Sequence, residues 1–351
     1  MNHVSLPPDA AAQVAAVGDG AVRAGPLSGV PQLLRDLGRE PAPVYVAAGV
    51  DPHLVGDPEN VVPFSVVGRL LATCADATDC PHFGLLLGER TGLECIGLVG
   101  MLARHSPSLD HALRNIVLHL HLHDRGAIPT LSVSDGEARL GYTIYQPAVM
   151  ATAQIYDLAV VIGCNILRTL CGRSWRPRYV DLSHAKPRNL APYRRVFGAA
   201  PRFEAEETAV VFAADWLEQP IPGADPALYL ALQARVTELS ATVYDDLPSR
   251  VRRIVCNLLR CGDGSLESAA NVLSIHPRTL SRRLQRSGTT YRQLREECHH
   301  AFACQLLLDT DLPITEIAAR LRYADAPTFT RAFYRWTGSP PAAWRTARRS
   351  G

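Results

Sequence analysis

Long hydrophobic runs are missing from this 351-residue chain. Apolar stretches such as Leu158 to Cys164 fall far short of the roughly 20 residues a bilayer demands, and no basic cluster precedes a hydrophobic run at the N-terminus. Neither a membrane span nor a secretory signal is expected, and the expected location is the cytoplasm. Nine cysteines are present, but without a metal-binding rhythm. Only Cys74 and Cys80, and Cys256 and Cys261, lie near one another, and neither pair has a second pair behind it. They read as small buried hydrophobes, with a redox-sensing thiol as the alternative. Missing too are a Gly-rich phosphate loop, a Gly-x-Ser-x-Gly elbow and a His-Glu-x-x-His helix. The four-cysteine zinc cluster and the Pro-Cys-His-Arg acceptor motif of alkylation repair are also lacking, so an enzyme fused to the chain is not expected, and neither is a cofactor.

Lysine is absent from Ser249 to Gly351, yet that stretch carries 17 arginines against eight carboxylates, a formal charge of +9. The remainder carries −7, and the near-neutral total of +2 conceals the division. A basic module joined to an acidic one points to a polyanion-binding half, because each phosphate contact gains from counterion release.

The length favours two domains. Residues 1 to 24 are Ala, Gly and Val with few large side chains, and read as a disordered leader. Helical periodicity follows over Val30 to Leu37, Pro63 to Ala77, Ile96 to Arg104 and Ser108 to His123. From Pro129 to Tyr145 the period changes to two around Ser134-Asp135-Gly136, which predicts a β-hairpin. A long apolar helix from Met150 to Leu170 comes next, then a strand at Arg178 to Leu182, a helix at Pro192 to Phe197 and a strand at Ala209 to Ala213. The expectation is an α+β domain over residues 25 to 222. Asp225 and Pro226 open a helix running to Val243, read as part of a linker over 223 to 247. Its stripe of Leu228, Leu232, Arg235 and Leu239 fits either its own domain or a second subunit.

From residue 248 to 351 every periodic segment is helical, and one layout occurs twice, as expected for an all-α domain of two helix-turn-helix units joined by a long helix. In the first unit, Leu266 to Leu273 carries small Ala269 and Ala270 where a second helix can cross. Pro277 then opens a helix with Leu280 and Leu284 on one face and Arg278, Ser281, Arg282 and Gln285 on the other. In the second, Ile314 to Leu321 precedes a helix from Ala326 to Trp336. Phe329, Ala332, Phe333 and Trp336 form its apolar side, while Thr328, Arg331 and Arg335, flanked by Thr330, face away. Arg reads guanine N7 and O6, Gln pairs with adenine and Ser or Thr reaches bases or phosphates, so both faces have the chemistry of major-groove readout. The helix between them, Thr290 to Leu308, is about 28 Å long at 1.5 Å per residue, near the 34 Å of one DNA turn.

The run Ile317-Ala318-Ala319-Arg320-Leu321 through Thr328-Phe329-Thr330-Arg331-Ala332-Phe333 to Thr337-Gly338, with Pro340, Pro341 and Trp344, closely resembles the signature of the AraC/XylS family of transcription regulators. Arg278-Thr279-Leu280-Ser281-Arg282-Arg283-Leu284 is similar to that family's first reading helix. The resemblance implies seven helices, double-stranded promoter DNA as partner, contact with RNA polymerase, and activation of transcription. Carried over by position, the base-facing places are Arg278, Ser281 and Arg282, then Pro327, Thr328, Thr330 and Arg331. Two turn positions that usually hold Gly hold Ser274 and Arg322 instead, and His276 stands where Ser usually caps.

Pro192-Tyr193-Arg194-Arg195-Val196-Phe197-Gly198, with Phe203 and Gln219-Pro220-Ile221-Pro222-Gly223, resembles the arabinose-binding-like, non-cupin effector domain of one subgroup. That resemblance implies a small-molecule effector or a homodimer contact, without naming the ligand-binding residues. The alternative from the residues themselves is metal sensing: on a continuous helix His119 and His123 share a face, although no carboxylate or thiol is placed with them.

Overall fold

The computed structural model describes residues 17–349 except 19, 147, 148, 173, 243–246, 262, 263 and 274. In the main, the chain divides into two compact units, one running to Val243 and one starting at Tyr244.

The first unit is α+β. β1 (Ala21–Arg23) pairs antiparallel with β2 (Val61–Pro63), so regular structure begins inside the stretch expected as a leader to residue 24; positions 1–16 of that stretch lie outside the described residues. Seven helices follow in chain order: α1 (Val30–Asp36), α2 (Pro41–Ala48), α3 (Pro52–Gly56), α4 (Phe64–Thr78), α5 (Phe83–Glu89), α6 (Gly97–Arg104) and α7 (Leu109–His119). Proline opens the first turn of α1, α2 and α3, where a missing N–H costs nothing. α2, α3 and α5 escape the periodicity reading, because α2 and α5 are apolar nearly all round and α3 has only five residues, so none shows a stripe. α7 stops at His119, short of the expected His123, and a 3₁₀ turn over Leu120–Leu122 takes its place.

β3 (Ala127–Ser134) and β4 (Glu137–Ile144) form the expected hairpin. Asp135 and Gly136 have φ of 51° and 72°, the two left-handed residues that a type I′ turn needs to match strand twist. With β5 (Tyr179–Asp181), β6 (Ala200–Arg202) and β7 (Thr208–Ala213) they make a sheet in the order β3-β4-β7-β5-β6, antiparallel except between β5 and β6. α8 (Thr152–Cys171) packs on β4 and β7 and also on α4 and α5. A Cβ at Gly88 would stand 2.7 Å from that of Val161, so glycine is what lets α5 lie against α8. By length and composition α8, the long apolar helix expected from Met150 to Leu170, would pass for a membrane span, with a hydropathy of 1.3, although no span was expected there. Yet 61% of that stretch is buried in the fold, and its Asp157 accepts a 2.6 Å hydrogen bond from the hydroxyl of Tyr193 on α9 (Ala191–Phe197).

α10 (Pro226–Thr242) was expected as an interdomain linker and is instead part of the first unit. Leu232 and Val236 are fully buried in the same core as the sheet and α8, with Leu239 beside them. The Tyr229 hydroxyl lies 3.4 Å from Asn115 Nδ2 on α7. Val236, not Arg235, continues the buried stripe; Arg235 pairs with Glu238 at 2.8 Å.

The second unit is all helical among the described residues: α11 (Leu247–Cys261), α12 (Leu266–Val272), α13 (Pro277–Arg286), α14 (Tyr291–Asp309), α15 (Ile314–Arg320), α16 (Ala326–Thr337) and α17 (Pro341–Arg349). These are the seven helices that the family resemblance implies.

Candidate nucleic-acid interface

Each of the two helices expected to read bases is anchored by its apolar back. In the first unit Ala269 and Ala270 on α12 are completely buried, and so are Leu280 and Leu284 on α13. Two small side chains let α13 cross closely, and two leucines one turn apart fix its rotation. Ser265 caps α12 by accepting the Ser268 N–H at 3.1 Å. His276 fills the capping place of α13, its Nδ1 accepting the Arg278 N–H at 3.2 Å, so a neutral ring carries its proton on Nε2. Ser274 lies outside the described residues. With its back fixed, α13 turns Arg278, Arg282 and Gln285 to solvent, with Ser281 half-buried between them.

The second unit repeats the plan with a larger, aromatic core. Phe329 and Phe333 on α16 are completely buried, their rings 5.8 Å apart. Phe333 meets Trp344 of α17 edge-on at 5.5 Å, and Phe329 meets Tyr323 at 5.5 Å. Ala318 is buried, whereas Ala319 beside it is exposed. Arg322 does hold the left-handed turn position, with φ 57°; its N–H and that of Tyr323 close the end of α15 on Ala319 and Ala318. Asp325 caps α16 by accepting the Thr328 N–H at 2.6 Å. The Thr328 hydroxyl also bonds to this carboxyl and, with the backbone bond, holds it below the usual carboxylate range.

On the outer face of α16, Pro327 and Arg331 are exposed and Thr328 and Thr330 half-buried. Arg331 Nη2 donates to the Thr328 hydroxyl at 3.0 Å, which holds the guanidinium along the helix face. Arg335, expected among the reading side chains, is exposed and also pairs across to the connecting helix, its Nη2 3.2 Å from Glu296 of α14. Glu296 also receives Arg292 Nε at 3.1 Å. Arg335 therefore ties α16 to the connecting helix, a role its outward position in the sequence pattern did not reveal.

α14 is buried on more than one side. Leu294, Cys298 and Ala301 are buried along its first half, where α11 packs and Arg252 meets Glu297 at 2.9 Å. Ala303, Cys304 and Leu307 join the aromatic core of the second helix-turn-helix unit. His299 lies edge-on to Tyr323 at 5.6 Å, and His300 lies 5.5 Å from Trp336. This two-sided packing holds the spacer rigid, and the sequence signal for it was only the density of small residues, Ala301, Ala303 and Cys304.

The sensor alternatives lack the required geometry. With α7 ended at His119, that ring turns its Nδ1 to Ser240 at 3.3 Å, and no group of three or more His, Cys, Asp or Glu among the described residues is arranged to hold a metal. Of the eight described cysteines, seven are buried. Burial pushes the Cys74, Cys164 and Cys304 thiols up to about 12, the opposite of the lowered pKa of a reactive thiolate.

A family profile described as the arabinose-binding domain of AraC transcription regulator, N-terminal, matches residues 38–221, and a helix-turn-helix domain profile matches residues 269–347. The chain is 29% identical to the HTH-type transcriptional regulator VirS of Mycobacterium tuberculosis, over 92% of its own length and 96% of the relative's. It is also 29% identical to the ornithine utilization regulator of Pseudomonas aeruginosa, over 90% and 93%. Among solved structures, the transcriptional regulator CdpR from Pseudomonas aeruginosa matches 89% of this chain and 97% of its own, at 22% identity and a TM-score of 0.42.

Proposed function

Because this chain belongs to the AraC-type helix-turn-helix transcription regulators that carry an arabinose-binding-type N-terminal domain, we propose that α13 and α16 are its two DNA-reading helices. Arg278, Ser281, Arg282 and Gln285 address one major groove, and Pro327, Thr328, Thr330 and Arg331 the next. The observation that carries this reading is the repeated division of each helix into a fully buried back and an outward face of Arg, Gln, Ser and Thr. Pro327 offers apolar contact only, suited to a thymine methyl. Arg335, held by Glu296, positions α16 instead of reading a base.

In the same proposal the N-terminal unit binds a small-molecule effector whose preference for one conformation shifts DNA affinity or promoter activation. The protein then acts in the cytoplasm at its promoter, as an activator in contact with RNA polymerase, alone or as a homodimer. Sequencing the DNA fragments retained by the purified full-length chain tests the first part. Arg282→Ala and Arg331→Ala should each cost about 1–3 kcal/mol of binding and relax preference at one base position. An unaltered fragment profile for both variants would remove these helices from the interface.

A further inference from the structure

The N-terminal unit holds a partly open cavity of about 110 Å³ between the sheet, α8, α7, α4 and the segments around β1. Most of its wall is aliphatic or aromatic, with Leu27, Phe64, Ile116, Leu140 and Ile155 among the lining. Five polar side chains gather there: Arg23, His123, Asp124, Tyr142 and Thr208. Four of them are already served, Thr208 among them. Asp124 Oδ1 accepts the N–H groups of Gly126 and Ala127 at 2.8 and 3.1 Å, and its Oδ2 accepts the Tyr142 hydroxyl at 2.5 Å. Arg23 donates to the carbonyls of Leu122 and Glu59 at 3.2 and 2.9 Å and pairs with the Glu59 carboxylate at 3.0 Å. His123 differs: it is only 4% exposed, and its Nδ1 meets no hydrogen-bond partner among the described residues.

Building on the effector-sensing reading above, we propose that this cavity is the effector site and that it takes a small, uncharged, largely apolar molecule with a single hydroxyl or carbonyl group directed at His123. His123 lines this wall, and a ligand group bonded to its ring offsets the cost of facing a polar side chain onto an apolar space. A sugar would bring several hydroxyls against walls that are mostly aliphatic and whose polar side chains other than His123 are already bonded. A zwitterionic amino acid would need counter-charges, and Arg23 and Asp124 are already committed. Burial, with the Arg23 guanidinium beside it, holds the His123 ring uncharged, pushed down to about 3, which suits a neutral ligand. Apolar cavities of about 150 Å³ admit benzene, and this one is somewhat smaller but open on one side, so a single small ring is about the upper limit of what it takes.

Thermal unfolding of the full-length chain with phenol, toluene, L-arabinose and L-ornithine at equal concentration tests the assignment. Phenol should raise the midpoint with concentration, as a ligand bound to the folded state must, and toluene less so; arabinose and ornithine should leave it unmoved. Gly163→Leu supplies a filling variant, because a Cβ there lies 3.7 and 3.9 Å from Val210 and Leu140, both on the cavity wall. Its unliganded midpoint should match or exceed that of the parent, and its response to phenol should vanish. His123→Phe should lose the roughly tenfold preference for phenol over toluene expected of one hydrogen bond. A response to arabinose or ornithine equal to that of phenol, an undiminished phenol response in Gly163→Leu, or no response to phenol and toluene would each overturn the proposal. DNA retention by the same samples is read separately, so a failed pocket with intact DNA binding leaves the regulator reading standing, and the converse outcome does the reverse.

Discussion

Arg322 pays a conformational cost that glycine would not. Its φ of 57° places a Cβ in the left-handed region, which disfavours a non-glycine residue by about 1 kcal/mol or slightly more. Arg322→Gly should therefore stabilise the second unit by up to about 1 kcal/mol in a urea titration, reduced by the greater freedom of glycine in the unfolded chain. His299 sets a pH dependence at the same scale. Burial pushes its imidazole down to about 4, and its Nδ1 has no partner among the described residues. As pH falls below about 6.5 the unfolded chain takes up the proton first, so stability is lost progressively until the folded ring also protonates near 4. Urea midpoints measured across that window should fall for the parent and fall less for His299→Phe.

At the scale of elements, α10 and α14 do unlike work. α10 is bound into the N-terminal core by Leu232 and Val236, so Leu232→Ala should open a cavity and destabilise the first unit by about 2–5 kcal/mol. Calorimetry should show the loss, while DNA affinity per folded molecule stays close to that of the parent. A change in subunit assembly without loss of stability would instead assign that stripe to an intersubunit contact. α14 is a strut: buried along both halves and joined to α16 by the Glu296–Arg335 pair, it carries the separation of the two proposed reading helices in its own length.

For the whole molecule the decisive quantity is the division of charge. A formal +9 after Ser249 against −7 before it confines the attraction for a polyanion to the second half. Binding should weaken steeply with salt, the logarithmic slope growing by about 0.9 for each phosphate neutralised. Arg286 is exposed near the end of α13, and Arg286→Gln should reduce that slope by about one unit without altering base preference, as measured by titration at several salt concentrations.

In the second unit α13 and α16 and their outward residues were legible from periodicity, because two apolar stripes at helical spacing leave one rotation for each helix. The sequence by itself also determined the hairpin, since Asp135-Gly136 supplies the two left-handed residues that turn requires. Tertiary structure alone decided the allegiance of α10, whose stripe suited either of two partners until Leu232 and Val236 met the N-terminal core. It alone decided that Arg335 meets Glu296, 39 residues away, and that Arg23 and Tyr142 meet the His123–Asp124 corner of one cavity. Periodicity reports which face of an element is apolar; it carries no information on which distant face will cover it, and the cavity and the clamp both arise from such pairings.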